Sequence, residues 1–296
     1  MLHPLIFDRA LLRTRRARAR RLGAETFLLD RVADDLEVRL SAVLRKFAFA
    51  ADIGTPTDAV RQKLTGHVGR VVAVAPVLAR DHEKDSRVVA DEEMLPFRDG
   101  SFDLVVSALA LQFVNDLPGT LIQIRRALKP DGLFLGALIG GESLVELRAA
   151  FAEAEAEMEG GASPRVAPFA DLRDLGALLQ RAGFALPVTD IDRVTVRYES
   201  PLALMHDLRR MGAGNVLIER RRKPLRRATL RRLFEIYKER FSDPDGRVRA
   251  TLEIVWLSGW APHESQQQPL KPGSARTRLA DALNAQEVSA GEKAGR

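Results

Sequence analysis

Cysteine is absent from the 296 residues. Disulfides, thiolate metal sites and cysteine nucleophiles are therefore excluded. Histidine is scarce. The five that occur (His3, His67, His82, His206, His263) form no ligand pair of the H-x-D or H-E-x-x-H kind, so no metal site is expected. Long hydrophobic runs are missing too. The longest, Leu104 to Val114, is too short to span a bilayer. The N-terminus carries basic residues with no apolar stretch behind them, so a secretory signal is not expected. The default expectation is a soluble cytoplasmic protein.

What remains is an ordinary globular composition with a basic bias. Hydrophobic residues make up 46% and charged residues 29%, enough for one sizeable domain with appendages. The net charge of +6 and pI near 9.9 favour an acidic partner: a protein surface, a nucleic acid or an anionic membrane.

The chain is organised around Val88 to Leu135. A short strand at Arg87 to Ala90 ends in Asp91 and Glu92. After the turns at Leu95-Pro96-Phe97 and Asp99-Gly100, a second strand, Phe102 to Ala108, is apolar nearly throughout, as a strand covered on both faces must be. A helix over about Leu117 to Leu128 shows Leu121, Ile124 and Leu128 at helical spacing. Lys129-Pro130-Asp131-Gly132 stops it and turns the chain into a third strand, Leu133 to Leu138. This alternation predicts a doubly wound α/β sheet, mostly parallel, with ligands beyond the carboxyl ends of the strands. Asp91, Glu92 and Ser107 fall at such ends. A carboxylate there can accept from a ligand amino group, or it can be a solvated turn acid.

Upstream, residues 1–46 read as two basic amphipathic helices. The first carries Arg13, Arg15, Arg16, Arg18, Arg20 and Arg21, read as a solvated helix face in preference to a docking surface. The second spans Phe27 to Phe47. Phe47 to Gly54 is the first strand of the sheet, and Asp52, Gly54 and Thr55 stand in the loop that leaves it. Gly69 to Val74 is the next strand, ending at Ala75 and Pro76.

Downstream, a helix from Leu144 to about Glu159 has an acidic distal half, and Phe169 to Arg181 is a second amphipathic helix. Pro187 to Tyr198 alternates like an antiparallel strand. An insert at about 201–245 contains the most basic segment, Arg220 to Arg227, before the last strand, Arg249 to Trp260. It is read as a cap whose arginines meet an acidic protein, a phosphate or a lipid headgroup. No aromatic residue interleaves with them, which argues against nucleic acid. The domain expectation is 1–46 basic helices, 47–262 the α/β domain with its cap, and 263–296 an extended, partly disordered tail.

The run DEEMLPFRDGSFDLVVS…RRALKPDG resembles the central signature of class I S-adenosylmethionine-dependent methyltransferases of type 11. The resemblance implies a Rossmann-like sheet with an antiparallel last strand. It puts Asp91 facing the adenine amino group, the backbone near Glu92 along the base, and Ser107 to Leu109 beside the methionine part. It implies a glycine-rich loop after the first strand, of which Asp52 and Gly54 are kept while Pro56 and Asp58 replace glycines. It also implies a ribose-holding acid at the position of Ala75. These three departures count against cofactor use.

Ile6-Phe7-Asp8-Arg9, Ser107 to Pro118 (SALALQFVNDLP) and Gly259-Trp260…His263-Glu264-Ser265-Gln266…Pro269…Gly273-Ser274-Ala275 are similar to one branch of that fold, the respiratory complex I assembly factor family. Its members are associated with hydroxylating an arginine of a complex I subunit. A sister branch methylates a malonyl thioester on a carrier protein in biotin synthesis.

The expected function is that of a methyltransferase-like protein modifying or helping to assemble a complex I subunit, at the inner face of the membrane or in the cytoplasm. The alternatives are a non-catalytic scaffold with a degenerate site, or a carrier-protein O-methyltransferase. The cofactor-binding set is Asp52, Gly54, Thr55, Asp91, Glu92 and Ser107. No catalytic base is named, because methyl transfer rests mainly on alignment.

Overall fold

The computed structural model describes residues 5–76, 86–267, 281 and 284–286. It divides into two compact units, 1–262 and 263–296.

In the first unit, seven strands form one sheet in the order β3-β2-β1-β4-β5-β7-β6. The strands are β1 Phe47–Ile53, β2 Val68–Ala75, β3 Ser86–Val89, β4 Phe102–Ala108, β5 Leu128–Ile139, β6 Ala185–Tyr198 and β7 Val248–Trp260. The pairs among β1 to β5 are parallel, and β7 is antiparallel to both β5 and β6. The sheet is the expected Rossmann-like one. The last strand in sequence is antiparallel, as expected, and inserts between β5 and β6, leaving β6 as the edge. The alternating burial of β6 follows from that position, with one face on the protein and one in water.

The apolar run of β4 is explained by helices on both sides. One face of the sheet packs against α2 (Phe27–Ser41), α5 (Val145–Glu159) and α8 (Arg227–Phe241), the other against α4 (Leu117–Ala127) and α6 (Leu172–Arg181). Six α2 residues (Leu28, Leu29, Val32, Ala33, Leu36, Leu40) are buried, at the 3–4 spacing of one helix face. Each large side chain there contributes about 1.5–3 kcal/mol from burial. Helix α2 ends at Ser41, several residues short of the expected Phe47. The chain needs those residues to descend from the helix layer into the sheet at Phe47.

Strand β5 begins at Leu128, directly after α4 and earlier than the expected Leu133, so Lys129-Pro130-Asp131-Gly132 is an irregular stretch inside it. A Cβ on Gly132 would stand 2.9 Å from the Lys129 carbonyl oxygen, which is why glycine is required there. Two more helices complete the unit, α1 (Arg9–Arg21) and α7 (Pro201–Arg210), with the short α3 (Ala59–Lys63) after β1.

In the second unit, His263 Nδ1 lies 2.7 Å from Ser265 Oγ, forming a local turn. Most of the expected extended tail, including Pro269, Gly273, Ser274 and Ala275, lies outside the described residues.

Candidate active site

The parallel strands deliver their carboxyl ends to one edge, and the predicted site residues gather there. Gly54 leaves β1 with φ +73°, a left-handed conformation that favours glycine. A Cβ at Gly54 would come within 2.8 Å of both Ala110 Cβ and Glu92 Oε1. The loop after β1 and the acids after β3 are therefore in contact.

Beneath them, a buried network fixes the strand ends. The Thr55 hydroxyl donates to Asp52 and accepts from the Ala108 N–H at 3.2 Å. Arg61 reaches Asp52 Oδ2 at 2.7 Å, and Asp52 is buried. The Ser107 hydroxyl donates to the Ile53 carbonyl at 2.7 Å. Asp52, Thr55 and Ser107 thus spend their polar groups tying β1 to β4. Ser107 is completely enclosed, so its hydroxyl is directed at the sheet rather than at open space.

The acids have partners that the sequence reading placed in solvent. Arg9 Nη2 lies 2.9 Å from Asp91 Oδ1 and also donates to Glu92 Oε2. Arg13 reaches Asp91 at 3.4 Å and Arg16 reaches Glu92 at 3.5 Å. Arg20 approaches the Pro56 carbonyl at 3.4 Å. These four arginines, spaced 4, 3 and 4 apart, form one stripe of α1. The solvated-face expectation is corrected for that stripe.

Glu92 is inaccessible and Arg9 and Arg16 nearly so, which makes this a buried ionic cluster. Burial lowers the Arg16 guanidinium from its ordinary value in spite of Glu92. At Arg9 burial acts the same way, but the charges of Glu92 and Asp91 outweigh it and raise the guanidinium.

The start of the chain is pinned to the site by Asn115, a residue not singled out from the sequence. Its side-chain oxygen accepts from the N–H groups of Ile6 and Phe7, both at 2.8 Å, and its amide donates back to the Phe7 carbonyl at 3.2 Å. Phe7 stacks edge-on against Phe113, and Asp8 caps α1 by accepting from the Leu11 N–H. The Ile6-Phe7-Asp8-Arg9 motif and the Phe113-Val114-Asn115 motif are thus two halves of one joint.

The second basic segment is also paired within the chain. Arg232 binds Glu157 at 2.6 Å and Arg240 binds Glu153; Arg221 binds Glu159. Helix α8 therefore packs along the acidic half of α5. The expectation that its arginines face an outside partner is corrected for these residues. Arg222, Lys223, Arg226 and Arg227 remain exposed in the segment leading into it.

A cavity of about 500 Å³ opens beside this edge. Pro56, Thr57, Leu109, Gln112 and Phe113 line it toward the loop after β1, whereas Asp91 and Glu92 do not border it. Gln112 is in its wall with Oε1 buried and without a partner among the described residues. Tyr198 belongs to the core, where burial raises its hydroxyl. Among the described residues no group of three His, Asp or Glu side chains is placed to hold a metal ion.

Comparison with known proteins gives these features a lineage. A family model described as a methyltransferase domain matches residues 51–136. The zebrafish (Danio rerio) protein called arginine-hydroxylase NDUFAF5, mitochondrial, is 39% identical over 93% of this chain and 89% of its own length. The chain belongs to the NDUFAF5 family. The human protein of that name is 40% identical over 91% of this chain and 81% of its own. A malonyl-[acyl-carrier protein] O-methyltransferase from Halorhodospira halophila is 34% identical over 88% of this chain and 90% of its own. Among solved structures, the YcgJ protein of Bacillus subtilis superposes with a TM-score of 0.52 at 14% identity, covering 77% of this chain and 98% of that one, a likeness of fold. The chain is a methyltransferase-domain protein of this family.

Its residues fit S-adenosylmethionine at two of three points. The Asp91 side chain keeps 27% of its surface exposed, and a carboxylate offers more acceptor positions than two arginines and the Glu93 N–H fill, so an adenine amino group fits there. Gly54 supplies the backbone turn. At the ribose position β2 ends in Ala75 with no acid, and Asp81, the next acid in the chain, lies outside the described residues.

Proposed function

We propose that this protein binds S-adenosylmethionine at the edge formed by Gly54 and Asp91, and acts on, or helps to assemble, a subunit of respiratory complex I. The similarity to NDUFAF5 proteins over more than nine-tenths of the chain is the observation that carries the reading. When bound, the cofactor supplies an electrophilic methyl group on a sulfonium.

The chain's own part is placement. Asp91, oriented by Arg9 and Arg13, accepts from the base. Asp52, Thr55 and Ser107 keep the β1 and β4 ends in register under the ligand. Arginine hydroxylation, named for the relatives, is the corresponding client chemistry, and the residues here assign no base or metal to it. The client is a protein with an acidic surface facing Arg222, Lys223, Arg226 and Arg227, met in the cytoplasm or at the inner face of the membrane. No helix among the described residues is long and apolar enough to cross one.

A second reading, a non-catalytic assembly scaffold, draws on Ala75 and on the arginines already seated on Asp91 and Glu92. One titration separates the two. Calorimetry with S-adenosylmethionine is expected to show saturable binding. Asp91→Ala weakens it at least tenfold, and Gly54→Ala, which forces a left-handed alanine onto Glu92, abolishes it. No heat and no thermal shift at millimolar cofactor leaves the scaffold reading standing. Carrier-protein methylation is checked by offering the purified protein a malonyl carrier. The complex I role is checked by loss of assembled complex on native gels when the gene is deleted in its host.

A further inference from the structure

The large cavity combines two chemistries that do not serve the sites described so far. Its walls are apolar, built by Leu28 of α2, Leu147 and Phe151 of α5, Met205 and Leu208 of α7, and Ile139 at the end of β5. Its border is cationic. Nine of its lining residues are arginines and one, Glu25, is an acid. Glu25 is itself taken by Arg210 at 3.3 Å.

Several of the arginines are already neutralised by acids outside the cavity: Arg165 by Glu155, Arg221 by Glu159 and Arg220 by Asp8. Arg15, Arg18 and Arg209 have no ion pair within 4 Å among the described residues. Arg15 is also crowded: burial and the charges of Arg220 and Arg209 lower its guanidinium, and the opposing charge of Asp8 does not outweigh them. Arg16, in the same wall, keeps Nη2 buried with no hydrogen-bond acceptor. A buried donor without a partner is destabilising, and an acceptor delivered by a ligand removes that cost.

We infer that this cavity is a binding site for an anionic amphiphile, an alkyl or acyl chain carrying a phosphate or carboxylate head. The chain lies against the α2, α5 and α7 side chains, and the head meets Arg15, Arg209 and the free nitrogen of Arg16. A cavity of this size encloses a small organic molecule. A cationic ligand of the same length is rejected, because its head would join a group of uncompensated arginines. The inference needs no contact with Asp91 or Glu92, which lie outside the lining, although Arg16, Pro56, Thr57 and Leu109 are shared with the edge those acids occupy.

Dodecyl phosphate, below its micelle concentration, is the probe, followed by calorimetry on the full chain. Saturable binding of one molecule per chain is expected. Removing two methylenes from the tail weakens it roughly tenfold, the amount lost when two buried CH₂ groups are withdrawn. Dodecyltrimethylammonium and inorganic phosphate each bind at least tenfold more weakly. The double variant Arg15→Gln, Arg209→Gln removes two charges that hold no ion pair, so its unfolding temperature stays within a few degrees while its affinity for dodecyl phosphate falls at least tenfold. The single variant Met205→Trp tests the tail wall separately and weakens the long-chain probe more than the short one.

Vesicles distinguish the sources. Displacement of the probe by phosphatidylglycerol vesicles, and not by phosphatidylcholine vesicles, identifies a membrane lipid as the donor of the chain. Displacement by free dodecanoate alone identifies a soluble fatty acid. Equal binding of the cationic amphiphile, indifference to chain length, or unchanged affinity in the double variant overturns the inference.

Discussion

Helices α1 and α8 are both arginine-rich, and both meet acids of the same chain, yet they do so in opposite surroundings. The α1 stripe meets Asp91 and Glu92 at the carboxyl edge of the sheet, where Glu92 has no exposure and Arg9 and Arg16 have little. The α8 arginines meet Glu153 and Glu157 on the outer side of α5, where Arg240 is about half exposed. In water, an ion pair trades hydration for contact at little net gain. In a dehydrated pocket each partner has lost its hydration, so neither can be removed without stranding the other. Equal arginine densities therefore have unequal consequences. The first segment is a structural part of the candidate site, while the second is a helix-to-helix fastening that leaves its preceding loop charged and free.

The largest effect follows from breaking the buried member. Glu92→Gln keeps the shape and removes the charge that Arg9 and Arg16 share. The expected loss is about 3–5 kcal/mol of unfolding free energy, read by denaturant titration. A loss below about 1 kcal/mol would show that water reaches the cluster and that the contrast with α8 is false. Because α1 is held here, the variant is also expected to expose the Arg9–Arg20 stretch to proteolysis before the rest of the domain.

An intermediate case sharpens the comparison. Glu155 lies between the two extremes: it belongs to the acidic half of α5 but is buried, and it accepts from the Ser163 N–H and hydroxyl, both at 2.6 Å, and from Arg165. Burial opposes its ionisation. The bonds from Ser163 and Arg165 outweigh that and hold its carboxyl below the ordinary value of 4.5. The folded value being the lower one, the contribution is complete above about pH 4.5. It is lost as pH falls through the depressed folded value. Glu155→Gln is expected to lower the neutral-pH stability by about 2 kcal/mol, the scale of hydrogen bonds to a charged group. It is also expected to flatten the fall of melting temperature with acidification below pH 4.5. An unchanged acid limb would place the acid sensitivity elsewhere.

The sheet was legible because its signals are local. Phe102 to Ala108 is apolar on both faces and Leu121 and Ile124 keep helical spacing, so β4 and α4 fall where their residues predict, whereas β5 starts at Leu128 and takes in the Lys129-Pro130-Asp131-Gly132 stretch that reads as a turn. The site was legible by half. Asp91, Glu92, Asp52 and Gly54 are visible as strand-end residues, but what Asp91 and Glu92 touch is decided by a helix some eighty positions earlier in the chain. A signal was present in the steps Arg9, Arg13, Arg16 and Arg20, which put four cations on one face of a helix. Arg15, Arg18 and Arg21 lie off that face, so the stripe emerges only when the helix is tested for a row of acids opposite. The same test applied to Glu153 and Glu157, four apart on α5, against Arg232 and Arg240, two turns apart on α8, pairs those helices too. Asn115 left no such trace. An asparagine that binds the backbone of Ile6 and Phe7 reads no side chain, so no complementary pattern exists in sequence to find it.

The smallest effect belongs to the exposed pair, and its smallness is the test. Arg240→Ala removes the bond to Glu153 on the surface of the α5–α8 pair, where both groups regain water at once. The expected cost is about 0.2–1 kcal/mol, and it should shrink further between low and physiological salt as the screening length falls to about 8 Å. The Glu92→Gln cost should not move with salt over the same range, since ions do not enter a pocket that water does not. Measuring both variants at two salt concentrations therefore separates burial from charge count. Equal salt sensitivity would mean that α1 is as solvated as α8, and the arginine stripe would then be free to leave Asp91 without penalty.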